Sequence, residues 1–98
     1  MGEDEQSFIE SLSNDRASDA DTVSSIDALE VLLSLEALPA LLHLMAHSSR
    51  PIEVKERAAI AINQIGTDHV QAELNLLSKS SDLETRRLAL LALGHADE

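Results

Sequence analysis

The chain matches itself when shifted by 31 or 32 residues, and this constrains its fold more than any local motif does. Under a shift of 31, Glu53 meets Glu84, Lys55 meets Arg86, Ala58 meets Ala89, Ala61 meets Ala92 and Ile62 meets Leu93. The segments before these match under a shift of 32. Leu38, Leu42, Leu44 and Met45 then meet Val70, Leu74, Leu76 and Leu77, and Ser48-Ser49 falls on Ser80-Ser81. A weaker shift of 30 lays Ala28, Val31, Leu32 and Leu35 over Ala58, Ala61, Ile62 and Ile65, with Glu36 at the place of Gly66. A unit of this length cannot bury its apolar face alone, so the core must form by stacking units.

The repeating element is helical. Leu and Ala dominate the apolar residues, Phe8 is the only aromatic, and no run alternates as a strand would. Ser24-x-x-Asp27 has the form of a capping box and predicts a helix whose apolar stripe is Ala28, Leu29, Val31, Leu32 and Leu35. With Glu36 in place of a glycine, that helix must turn differently from the later ones or run on towards Pro39. A second helix is expected over 38–47, with Pro39 in its first turn. A third runs from Pro51 to about Ile65, where Gly66 supplies a left-handed cap. Asp68-x-x-Gln71 opens a fourth, to about Lys79, and Ser81-x-x-Glu84 a fifth, to about Ala96. Residues 1–21 read as an acidic N-terminal segment, either partly disordered or a short capping helix through Phe8, Ile9 and Leu12. Residues 22–98 read as the repeat domain.

This pattern resembles the short HEAT-like repeats of phycobilisome-lyase-type proteins, whose units carry a Val-Arg pair, an Ala-rich helix and a closing Ile-Gly. Val54-Lys55 and Thr85-Arg86 stand at the pair, Ala58 to Ile62 and Ala89 to Gly94 in the Ala-rich helix, and Ile65-Gly66 at the close. Thr85 replaces Val, Asn63 replaces an internal Gly, and Ala96-Asp97 replaces the second Ile-Gly. The likeness covers 36–98 and, weakly, 22–35. Armadillo repeats are the near alternative, since 38–45 and 53–59 look like their last two helices, but their period is about 42 residues. The resemblance implies an all-α solenoid of stacked antiparallel helix pairs, with about five main helices plus a short N-terminal one.

Charge narrows the function. The chain carries 18 acidic and 7 basic side chains, net −11. Residues 1–47 hold ten of the acids and a single base, Arg16. Nucleic-acid binding needs Lys and Arg to displace phosphate counterions, and aromatic platforms for single strands; both are lacking. No cysteine is present, so disulfides, thiolate catalysis and Cys-based zinc sites are excluded. No segment reaches the roughly 20 apolar residues of a membrane-spanning helix, and no basic n-region marks a signal peptide. A soluble intracellular protein is expected, with the cytoplasm as its compartment. His43 and His47 lie one turn apart without the Glu of a zinc-protease motif, and the three glycines form no phosphate loop. Neither catalysis, nor a metal, nor a cofactor is expected.

The expected function is a protein-interaction or adaptor module that attracts a basic or amphipathic partner. The alternatives are an accessory subunit of an enzyme or chaperone system, by analogy of fold alone, and a piece of a larger scaffold. Two surfaces are candidates. In such solenoids the second helix of a pair lines the concave side, which here implies a polar ladder: Pro39, His43 and His47 one turn apart, with Gln71, Asn75 and Lys79 in register above them. Solvated faces of two amphipathic helices would show the same pattern. The other candidate is the last helix. Paired from residue 24 onwards, it has no following helix, so Leu88, Leu90, Leu91 and Leu93 are expected to offer an open end for a homodimer or a partner, unless the segment around Phe8 folds over an open edge.

Overall fold

A computed structural model describes the backbone of residues 2–94 and side chains from Glu5 to Gly94. It is all-helical, with six α-helices and no strand among the described residues. In chain order these are α1 (Gly2–Leu12), α2 (Asp19–Leu32), α3 (Leu38–His47), α4 (Ile52–Ile65), α5 (Gln71–Leu77) and α6 (Leu83–Leu93). Short 3-10 turns, Leu35–Ala37 and Asp68–Val70, lead into α3 and α5.

The helices pack as α1 with α2, α3 with α4, and α5 with α6. Short connections make such neighbours antiparallel. The second helices then lie side by side, α4 against both α2 and α6, while α3 touches α1, α6 and the turn before α5. The molecule measures 36 × 26 × 19 Å. Its smallest dimension is two helix diameters of about 10 Å, as two layers require.

This pairing corrects the sequence reading of the last helix. Paired from residue 24, α6 was left without a mate. The N-terminal segment forms α1, a three-turn helix, which becomes the mate of α2 and shifts every later pair by one helix. Leu12 is buried, and Phe8 and Ile9 pack against the core. The helix α6 lies between α4 and α5, with Leu88 buried and Leu91 and Leu93 against the core.

The core sits between the layers and is densest at α4. Ala58, Ala59, Ala61 and Ile62 are fully buried, faced by Ile26 and Leu29 of α2, Leu38, Leu41 and Met45 of α3, Leu74 of α5 and Ala89 and Ala92 of α6. Small side chains let neighbouring helix axes approach, and ridges then fit into grooves.

The helix ends also differ from expectation, each for a local reason. Ser18, not Ser24, caps α2: its Oγ accepts from the N–H of Asp21 at 3.0 Å. Asp82, not Ser81, caps α6, accepting from the N–H of Thr85 at 3.1 Å and from its hydroxyl at 2.6 Å. The α-helical part of α5 spans seven residues, so Lys79 lies beyond its end. Gly66 has a positive φ of 131° but an extended ψ of 142°, so it ends α4 without the left-handed cap. Gly94 is the left-handed cap, closing α6 at Leu93 rather than near Ala96, which with His95 lies outside the described residues. A Cβ at Gly94 would stand 3.3 Å from Asn63 Nδ2, which donates to the carbonyl of Ala92 at 3.0 Å. Asn63 thus satisfies a carbonyl that the end of α6 leaves unpaired.

Polar links between units join residues about one repeat apart. Ser34 Oγ donates to the Glu5 carboxylate, Arg57 pairs with Asp27, Lys55 Nζ lies 3.1 Å from Glu84, and Arg50 lies 2.9 Å from Asp19. Arg50 is the most enclosed of these cations, its side chain 13% exposed. Besides Asp19 it donates to the carbonyls of Ala17 at 2.7 Å and Asn14 at 2.9 Å, clamping the α1–α2 turn to the start of α4.

Two outcomes are expected. Arg50→Met removes three charge-assisted bonds and should cost about 2 kcal/mol in urea unfolding, with faster amide exchange confined first to residues 13–18; an unchanged midpoint would show the clamp to be idle. The second outcome concerns pH. The Thr85 hydroxyl and N–H hold the Asp82 carboxyl below its ordinary value. A carboxyl lowered on folding stabilises the native state above its unfolded pKa, and that contribution is lost as pH falls through the folded one. Asp82→Asn should therefore lie below the parent in thermal midpoint at neutral pH, and the gap should close as pH falls below the ordinary carboxylate range.

Candidate interaction surface

The structure places all six rungs of the polar ladder on the surface. Pro39, His43 and His47 are exposed on α3, with the two imidazole centroids 5.3 Å apart. Gln71 and Asn75 are exposed on α5, and Lys79 is exposed in the turn after it. The two trios lie on separate elements: α3 touches the turn that leads into α5, and α5 ends at Leu77, before Lys79. Gln71 is engaged locally, accepting from the Thr67 hydroxyl at 3.2 Å. Among the described residues no three His, Asp or Glu side chains gather as metal ligands would.

The leucines of α6 are not an open end. Leu88 is 3% exposed and unavailable to a partner. Leu91 and Leu93 are half-buried against the core, and Leu90 is half-buried outside it. The physical reason is the pairing shift: α5 and α4 already cover the face these residues form.

Among the described residues the exposed large apolar side chains that cluster in sequence lie elsewhere, at the corner between α2 and α3, while Ile52, Leu76 and Leu83 are exposed singly. Val31 is 82% exposed, Leu32 53%, Leu33 58% and Leu35 53%. Sequence reasoning assigned Val31, Leu32 and Leu35 to the core stripe of α2. The true stripe is Thr22, Ser25, Ile26 and Leu29, one turn nearer the N-terminus and half polar. The Thr22 hydroxyl is satisfied within the helix, donating to the Ser18 carbonyl at 2.9 Å, so it can be buried without penalty. A signal was present: Val31-Leu32-Leu33 spans some 200° of a helix, more than one core-facing stripe contains.

The corner is held by its own backbone. Leu33 has φ 52° and ψ 49°, the left-handed conformation, and is the one described non-glycine residue with positive φ. Its N–H donates to the Glu30 carbonyl and that of Ser34 to the Leu29 carbonyl, both at 3.1 Å. These are the two bonds of a Schellman motif, whose central position normally holds glycine. The buried Ser34 then bonds Glu5, which ties α1 to the corner's inner side.

The surroundings are acidic. No Lys or Arg occurs from residue 17 to 49. Glu30 and Glu36 flank the leucines in sequence, and Glu5 reaches them through Ser34. Arg57 bonds Asp27 and lies 3.9 Å from Glu30 Oε1. The hydrogen bond to Asp27 raises the guanidinium pKa further, so it stays charged. Glu30 Oε1 has no hydrogen-bond partner.

A recess of about 350 Å³ opens between the α1–α2 and α3–α4 turns, with Asp15, Asp19 and Arg50 among its lining residues. Arg50 and Asp19 are already paired there. No described helix is long and apolar enough to cross a membrane. Comparison with protein-family models, with curated proteins and with solved structures finds no match.

The left-handed Leu33 gives a direct test of what the corner is for. Leu33→Gly relieves the backbone and uncovers no core, so it should raise stability by about 0.5–1 kcal/mol by denaturant unfolding. A loss of that size would mean that the Leu33 side chain contributes to the fold.

Proposed function

We propose that this chain is a protein-interaction module, a HEAT-like helical solenoid of three helix pairs that binds a partner protein through the Val31–Leu35 corner. The observation that carries the reading is the exposure of that corner. Four large aliphatic side chains within five positions stand more than half in water, on a chain whose other long apolar side chains are mostly packed. Contiguous exposed hydrophobes on a well-packed protein mark interaction sites.

The solenoid reading rests on the pairing and on the register. Counted from α1, the described helices form three pairs, and five of the seven long-range side-chain hydrogen bonds among the described residues join positions 29 to 31 apart, close to the sequence repeat. In this phase the second helices are α2, α4 and α6. The polar ladder then falls on the first-helix layer, while the apolar corner ends a second helix. That favours the corner over His43, His47, Gln71, Asn75 and Lys79 as the contact.

Site-specific photocrosslinking in an extract of expressing cells tests this. A photoreactive residue at position 32 should capture a protein, whereas one at the exposed Gln64 should not. Capture from position 43 in place of 32 would move the site to the ladder; equal yields at 32 and 64 would sink the reading.

A further inference from the structure

We infer that the Val31–Leu35 corner receives a basic amphipathic helix from another protein, its apolar stripe seated on Val31, Leu32 and Leu35 and its Lys or Arg side chains meeting Glu30 and Glu36. This rests on the module reading above and adds the chemistry of the partner.

Three occupants could cover such a corner, and charge separates them. A second copy would bring an equally acidic chain, net −11, against this one, with Arg57 already held by Asp27 and Glu30 on either side. Like charges set face to face oppose association. An anionic lipid surface is repelled for the same reason. A cationic segment is attracted before contact by the net −11 of the chain and after contact by the flanking carboxylates. Glu36 is suited to receive it, since its side chain is exposed beside Leu35. Glu30 is less open: its Oε1 is enclosed and lies 3.9 Å from Arg57, and the side chain as a whole is 27% exposed.

The form of the partner follows from the fold. A strand can add only to a sheet edge, and no described residue is in a strand. Helix-on-helix docking is the mode an all-helical surface offers, with anchors one turn apart. The Leu33 side chain is 58% exposed, in a backbone conformation that glycine fills more readily.

The probe is a synthetic Leu/Lys amphipathic helix of about 18 residues, five turns long. Its controls are a scrambled peptide of the same composition and a Leu/Glu peptide of the same pattern, all measured by fluorescence anisotropy on the full chain. The Leu/Lys helix should bind at least about tenfold more tightly than either control. The triple variant Val31→Ser, Leu32→Ser, Leu35→Ser keeps the net charge and alters only exposed positions, which circular dichroism verifies. It should lose at least about tenfold in affinity. Glu30→Gln with Glu36→Gln should weaken binding severalfold and flatten its salt dependence.

Equal binding by the parent and the triple serine variant would overturn the proposal, because attraction would then be charge alone. So would equal binding of the Leu/Glu helix, or glutamine variants that bind as the parent does. Sedimentation of the parent as a dimer that the serine variant abolishes would assign the corner to a second copy, and binding to zwitterionic vesicles would assign it to lipid; either result rejects the basic helix. A crosslink from position 32 into an acidic segment of a partner would reject the basic helix but leave the interaction module standing. No crosslink from position 32 would remove both.

Discussion

The close approach of α4 to α2 on one side and α6 on the other is the contact on which the rest of the molecule depends. Alanines at 58, 59 and 61 leave almost no side-chain volume between the helices, and Ala89 and Ala92 answer them from α6. On α2 the buried positions include Thr22 and Ser25, small but polar. The Thr22 hydroxyl bonds back to its own helix, so the seam stays satisfied without water. The helices α1, α3 and α5 then cover the apolar sides that this row leaves open.

The ionic links act on register more than on stability. Pairs as exposed as Lys55–Glu84 contribute little each. Their effect is to fix which turn of one helix faces which turn of the next. A consequence follows for the first pair of helices. It is rich in carboxylates, and the cations that meet them, Arg50 and Arg57, come from the second pair. They meet Asp19, Asp27 and Glu30, which leaves Asp21 and Glu36 as the exposed acids of residues 17–49 without such a cation. Apolar and acidic character therefore coincide at the α2–α3 corner.

The candidate surface was only partly legible in the sequence. The ladder residues are exposed as their i, i+4 spacing implies, yet spacing within a helix says nothing about whether two helices present a shared face, and α5 ends before Lys79. The leucines of α6 were misplaced because helix pairing was counted from the first strong apolar pattern. Phe8, Ile9 and Leu12 are a weak pattern in an acidic segment, but three apolar contacts suffice once a neighbour supplies the other half of the interface. The corner was missed because a hydrophobic stripe counts leucine and valine and passes over threonine and serine.

The sequence by itself determined that the chain is helical, that its later units recur every 31 or 32 residues, and that its N-terminal half is acidic. These follow from composition and periodicity, which are local properties. Tertiary structure alone decided the phase of the helix pairs, the depth of Leu88 and the exposure of Val31, Leu32 and Leu35. Burial is a property of what packs against a residue. Which apolar side chain ends in water therefore depends on a partner helix more than 20 residues away in the chain, where no local pattern records it.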